Sequence, residues 1–411
     1  MKEILSARPI VFRDMYGLST TYATHGLYYY PAKFIPHVVR YCIENYSHGP
    51  STKLFDPFAG SGTSGVEAYL SGLDFVLADI NPILKHLTEV KLLSLDPHKD
   101  WRAELNRCLM VLENENGKFT PSWKSMGYWY EAPVLDELMK KWGNLMRLES
   151  PLKPILTFAL LRISRLFSWD EDRAPKLFKS KRKDKELRKI LSGDWKSAMK
   201  TQLAKISLEY LGRVMDFNRF AGFLTRKPEY VVYNGIDVSE PKEFPRISYD
   251  LVVTSPPYLQ AQEYLRTSKL DLYWLGYSEE EIKRLTNKEI PYKKPPADWW
   301  REYPIIDGII RIHQNQKSLM ISYFYYLLRA FDLTIESLSP GGYICVFLGS
   351  PKANGNEILI WRLIAEHFEN RGLELTEVLE DRIVNRKLFR GRKNLNPMGM
   401  ESEFLVVAKK G

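Results

Sequence analysis

The sequence predicts an α/β fold in which a mostly parallel sheet is interrupted by a large helical insertion. Three observations predict it. Apolar runs of strand length at 53–56, 75–79, 230–234 and 249–255 each end in acid, glycine or proline. Gly60, Gly62 and Gly65 follow the first run and open a helical pattern from about Thr63 to Leu70. Between 91 and 228 the strand rhythm stops, and helical patterns such as Ala132 to Met146 and Leu156 to Phe167 replace it. At 411 residues the chain exceeds one ordinary core. Residues 1–90 and 229–411 are therefore read as two parts of one sheet domain, and 91–228 as an inserted region.

Each element has a local cause. Pro36 suits the first turn of a helix running to about Asn45. The run ending at Asp56 gives way to Pro57, Phe58 and the glycines, whose missing Cβ atoms let backbone approach a ligand. About twenty residues on, Asp79-Ile80 ends the second strand. An acid there can accept hydrogen bonds from ribose hydroxyls. Asn234, Gly235 and Asp237 cluster at a third strand end. The strand Tyr249 to Ser255 must stop at Pro256-Pro257, just before Tyr258, because neither proline can donate a ladder hydrogen bond. The prolines fix consecutive carbonyls as acceptors, and beside the Tyr258 ring they suit a nucleobase with an exocyclic amine. Further on come an aromatic helix from Tyr264 to Trp274, a Pro- and Trp-rich loop from Lys283 to Tyr303 placed to cover a site, and a helix from about Leu319 to Leu338. A strand from Tyr343 to Leu348, a helix from Glu357 to Arg371 and a closing strand from Phe404 to Ala408 complete the pattern.

The net charge is +9, and residues 91–230 carry 28 Lys and Arg against 18 Asp and Glu, so the insertion holds the basicity. Such a segment suits a polyanion. Arg165 to Lys189, read as a mobile basic loop, supplies Arg165, Lys179, Lys181, Arg182 and Lys183 as candidate phosphate contacts. Arg390, Arg392 and Lys393 form a second basic cluster. Trp123, Tyr128, Trp129, Tyr130, Trp142 and Trp169 interleave with the first and suit stacking on exposed bases. Cys42, Cys108 and Cys345 lie too far apart for a disulfide framework or zinc site, and His25 and His37 lack partners at metal spacing, so no metal is expected. With no charged apolar leader and no membrane-length apolar stretch, a soluble cytoplasmic protein is expected.

Taken together, these stretches resemble the S-adenosylmethionine-dependent amino-methyltransferases of nucleic acids, particularly the cytosine-N4 branch. Asp56-Pro57-Phe58-Ala59-Gly60-Ser61-Gly62 is similar to the family's cofactor loop, continuing into Thr63. Thr254-Ser255-Pro256-Pro257-Tyr258 is similar to its catalytic motif, with serine leading as in cytosine-N4 enzymes. Tyr30-Pro31-Ala32-Lys33-Phe34 resembles the N-terminal cofactor motif, Asp79 the ribose-binding acid, and Asn234-Gly235-Ile236-Asp237 the motif near the adenine ring, with one extra residue between Gly and Asp.

The resemblance covers 22–90 and 230–408 and implies a Rossmann-like methyltransferase with a seven-stranded sheet. It implies Tyr30, Ala32, Lys33, Asp56, Pro57, Phe58, Gly60, Ser61, Gly62, Thr63, Asp79, Ile80, Asn234 and Asp237 as cofactor residues, and Ser255, Pro256, Pro257 and Tyr258 as catalytic ones. The partner it implies is a nucleic acid whose cytosine is flipped or single-stranded. Adenine-N6 and protein-glutamine methylation are the enzyme alternatives, and a non-catalytic nucleic-acid-binding protein is the alternative of another class. Composition leans to structured ribosomal RNA over DNA, because the insertion mixes aromatic and basic residues and shows no groove-reading motif.

Overall fold

The computed structural model describes residues 7–31, 33–171, 177–259, 263–312, 317–353, 356–383 and 400–411. Strands β1 (Arg8–Ile10), β2 (Lys53–Asp56), β3 (Asp74–Asp79), β4 (Tyr230–Asn234), β5 (Tyr249–Thr254) and β6 (Leu338–Gly349) come first. A two-residue hairpin, β7 (Lys352–Ala353) and β8 (Asn356–Glu357), precedes β9 (Leu373–Arg382) and β10 (Ser402–Lys410). The main sheet has the order β1-β9-β10-β6-β5-β2-β3-β4. Every pairing in it is parallel except those of β10, which runs antiparallel to β6 and β9. The sheet therefore has eight strands where seven were expected. Strand β1 is three residues long with a central proline, too short to show periodicity, and it adds to the edge by pairing parallel with β9.

From β2 the chain builds outward through β3 to β4; from β5 it builds the other way through β6. The order reverses between β2 and β5, and the carboxyl ends of strands flanking such a reversal open a crevice. The Asp79 and Ser255 motifs sit beside that reversal.

The insertion contributes helices Arg102–Leu112, Ala132–Arg147, Lys153–Leu166, Lys181–Leu191 and Trp195–Ala221. Its aromatics mostly fill its own core. Trp142, 1% exposed, stacks on the buried Trp274 at 5.6 Å, and its Nε1 donates to Ser164 Oγ at 3.0 Å. Trp129, Tyr130 and Trp169 are likewise buried, whereas Tyr128 is 57% exposed. This core is continuous with helix Tyr264–Trp274 of the sheet region. The expected basic loop is helical from Lys181, because Ser180 Oγ accepts from Lys183 N and caps the turn. Cys42, Cys108 and Cys345 are buried. Among the described residues, no helix is long and apolar enough to cross a membrane, and no group of His, Cys, Asp and Glu is arranged to hold a metal ion.

Candidate active site at the strand ends

One cleft, about 920 Å³ with its open mouth included, lies across the reversal between β2 and β5. The N-terminal segment lines it with Tyr30 and Lys33, and the glycine loop with Pro57, Phe58, Gly60 and Ser61. Asp79 and Ile80 follow from the end of β3, and Asp237 from beyond β4. Ser255, Pro256 and Pro257 form another part of the same wall. The fold thus brings together stretches that are far apart in the chain.

Asp79 organises the loop. Its Oδ2 accepts from Gly60 N at 2.8 Å and its Oδ1 from Asn81 N at 2.7 Å, which leaves each oxygen a further lone pair. Burial pushes its carboxyl up to about 6, and those two backbone donors oppose the shift. Gly60 and Gly62 take φ values of +49° and +72°, and a Cβ on Gly60 would sit 3.1 Å from the Tyr30 ring. Lys33 borders the cleft with its pKa drawn down to about 8 by burial. Behind the loop, the buried Lys91 donates to the Ser61 carbonyl.

Asp56 stands behind the cleft as a strut. It accepts from Phe58 N at 3.0 Å, from Ser64 Oγ, and from Thr254 Oγ1 at 2.6 Å, tying the glycine loop to the strand that carries Ser255. Burial pushes its carboxyl up to about 7. Gly62 and Thr63 begin helix Thr63–Leu70 rather than lining the cleft. Asn234 ends β4 opposite Asp79, while Gly235 N donates to the Asp79 carbonyl at 2.8 Å. Asp237 is ion-paired with Lys293.

The Pro-Pro corner is held rigidly. The Pro257 carbonyl accepts from Tyr323 Oη at 3.0 Å. Tyr258 flanks the corner, its hydroxyl donating to Glu403 Oε1 at 2.6 Å and its backbone N–H to Tyr264 Oη at 3.4 Å. The ring that faces the cleft beside Tyr30 is Tyr264, parallel to it at 6.2 Å.

No protein-family model matches the chain. It is similar to the type II methyltransferase M.MvaI of Kocuria varians, 26% identical over 288 residues, or 66% of this chain and 62% of that protein. With type II methyltransferase M.BsoBI of Geobacillus stearothermophilus it shares 25% over 293 residues, 67% and 57% of the two chains. With type II methyltransferase M.AvaI of Nostoc sp. it shares 25% over 282 residues, 62% and 55%. The chain thus spans about three-fifths of the length of these relatives. Among solved structures, the rRNA methyltransferase aviRa of Streptomyces viridochromogenes overlays at TM-score 0.32 with 10% identity, across 93% of this chain and 88% of that one; the score is too low to bear on fold.

The candidate phosphate contacts divide sharply. Arg165 is 16% exposed, its Nε 2.9 Å from Asp271 Oδ1 and its other nitrogens on Asp170 and the Thr267 carbonyl. Lys183 is buried, with Nζ on the Leu166 carbonyl at 3.0 Å. Arg182 pairs with Glu171 and Glu186. Lys181 is exposed, and Lys179 lies 3.6 Å above the exposed Tyr128 ring. Ala32, Arg390, Arg392 and Lys393 lie outside the described residues.

The sequence reading missed Tyr264, Lys288, Glu289 and Ile290 as cleft residues. One signal was present: Ser278 and Glu281 form a capping box that starts helix Glu279–Thr286, and the end of that helix delivers Glu289 to the cleft. The expected Lys283 to Tyr303 loop is therefore helical in its first residues, and its middle walls the site.

Proposed function

We propose that this chain is an S-adenosylmethionine-dependent methyltransferase acting on the exocyclic N4 amine of cytosine in DNA. The observation that carries the reading is the single cleft in which the glycine loop and Asp79 share walls with Ser255-Pro256-Pro257. The cofactor, when bound, supplies an electrophilic methyl on a sulfonium. Asp79 keeps acceptor capacity for ribose hydroxyls, and Gly60 and Ser61 present close backbone to the same space. Ser255 and the Pro256 carbonyl accept from the cytosine amine, draw its lone pair out of conjugation and fix its approach. Tyr264 is the ring on the cleft wall, and Tyr258, next to the corner, is the ring that the family pattern assigns to the base. Positioning and electrostatics carry the rate, so no strong base is required.

Two findings favour DNA over RNA in this reading. The insertion's aromatics are mostly core residues and not stacking surfaces, and the relatives are type II methyltransferases. Serine at the head of the Pro-Pro motif favours cytosine-N4 over adenine-N6 in the family pattern. The test is transfer of labelled methyl to undermethylated genomic DNA and to ribosomal RNA, followed by nucleoside mass spectrometry. N4-methyldeoxycytidine is expected. N6-methyldeoxyadenosine, or label in RNA alone, would overturn the base or the polymer respectively.

A further inference from the structure

Glu289 is 4% exposed and lines the cleft. Its Oε1 accepts from Leu265 N at 3.0 Å, at the start of helix Tyr264–Trp274. Its Oε2 is buried and has no hydrogen-bond partner among the described residues. A cap needs only one acceptor, and a short Ser, Asp or Asn at the helix end is the usual way to supply it. The Tyr264 N–H at the same helix start also acts on the carboxylate, but Oε2 itself is left without a hydrogen bond among the described residues. An unmet buried acceptor is costly, and each one calls for a reason, of which a bound group that completes it is one.

We propose that Glu289 is a second carboxylate of the nucleoside-binding part of the cleft, accepting through Oε2 a hydrogen bond from a hydroxyl or amine of an adenosine-type ligand. This rests on the cofactor assignment above and adds a residue to it.

The surroundings set the protonation. Asp79 and Glu263 act on Glu289 as like charges, and Tyr264 adjoins it as a neutral hydroxyl. Nearby cations are committed elsewhere: Lys288 Nζ lies 2.6 Å from Glu243 Oε2, and Lys293 pairs with Asp237. Lys33 borders the same cleft with a lowered pKa. Burial, aided by the like charges, pushes the Glu289 carboxyl up to about 8, so it carries a proton at neutral pH in the free protein. A ligand that donates to Oε2 favours the ionised form, and binding then expels that proton.

The experiment is calorimetric titration of the full chain with S-adenosylhomocysteine at pH 7, in two buffers of different ionisation enthalpy. The wild type should release a large fraction of one proton on binding. Glu289→Gln keeps the helix cap and should lose most of that release, with a roughly tenfold weaker Kd. Asp79→Asn, whose parent acid titrates lower, should bind more weakly and lose only the part of the release that the Asp79 like charge sustains. Unchanged proton release and Kd in Glu289→Gln would overturn the role of Glu289. Absence of binding by the wild type, to S-adenosylmethionine as well, would instead overturn the cofactor assignment on which it rests.

Discussion

Around the cleft, Asp79 and Glu289 keep hydrogen-bonding capacity beside the ion-paired Asp237 and Lys288, whereas in the helical insertion the buried polar groups are paired with one another. Asp79 reaches the cleft with lone pairs to spare, and Glu289 has an oxygen with no partner among the described residues. In the insertion, Arg165 is locked to Asp271, Lys141 to Glu113 and Glu137, and Arg182 to Glu171 and Glu186. Unspent hydrogen-bonding capacity marks a binding site, and paired charge marks architecture. A surplus of lysine and arginine in a segment therefore overstates the cations it offers to a polyanion.

The largest effect should come from breaking the architecture. Arg165→Met leaves Asp271 buried without its guanidinium and should cost about 3–5 kcal/mol, measured by denaturant unfolding. Replacing Asp271 by Leu in the same chain should recover much of that loss, because both charges are then gone. A stable single variant with weakened DNA binding would instead return Arg165 to the polymer surface.

Next comes the site. Tyr258→Ala should lower methyl transfer about 100-fold through lost positioning while the Kd for S-adenosylhomocysteine stays unchanged. Tyr258→Phe, which lacks only the bond to Glu403, should lie between. Equal loss of transfer and cofactor affinity would overturn the assignment of Tyr258 to the base.

The Asp56 strut gives a pH signature. Its carboxyl rises from 3.8 to about 7 on burial, so between those values the folded chain holds a proton that the unfolded chain does not. That contribution to stability is complete below about pH 4 and is lost as pH rises through about 7. Asp56→Asn removes the dependence, so its stability relative to wild type should improve from pH 5 to pH 8 in thermal unfolding. A constant difference would mean that the carboxylate is already ionised in the fold.

The smallest effect belongs to the exposed cations. Lys181→Gln should leave stability unchanged and lower the salt slope of DNA binding by about one unit. Arg182→Gln should do less, since its guanidinium is already satisfied by two carboxylates.

The legible parts of the fold were those where backbone demands a residue type. Gly60 and Gly62 at positive φ, Asp79 at a strand end and the Pro-Pro stop were all readable; Gly60, Asp79 and the prolines meet at the cleft, while Gly62 starts the helix behind it. Helices Thr63–Leu70 and Tyr264–Trp274 fall where their apolar spacing puts them. Three things were not readable. Strand β1 is too short for a period. Burial of Trp142 and Trp169 follows from helix packing, because an aromatic residue in a basic segment reads the same whether it faces core or solvent. Glu289 enters the site through the path of the chain after its helix; the Ser278–Glu281 capping box marks where that helix starts but not which residue it delivers.

Helix Tyr264–Trp274 has one end in each of the contrasted regions. Its first residues present Tyr264 to the cleft and receive Glu289, while its last packs Trp274 against Trp142. Eleven residues make a rod about 16 Å long, clamped near its middle by Arg165 on Asp271. A ligand that binds the insertion better in one placement of this helix would bias the Tyr264 ring, and a ligand that favours one placement of Tyr264 would bias the tryptophan stack. By thermodynamic reciprocity the two binding free energies are then coupled with equal strength in both directions.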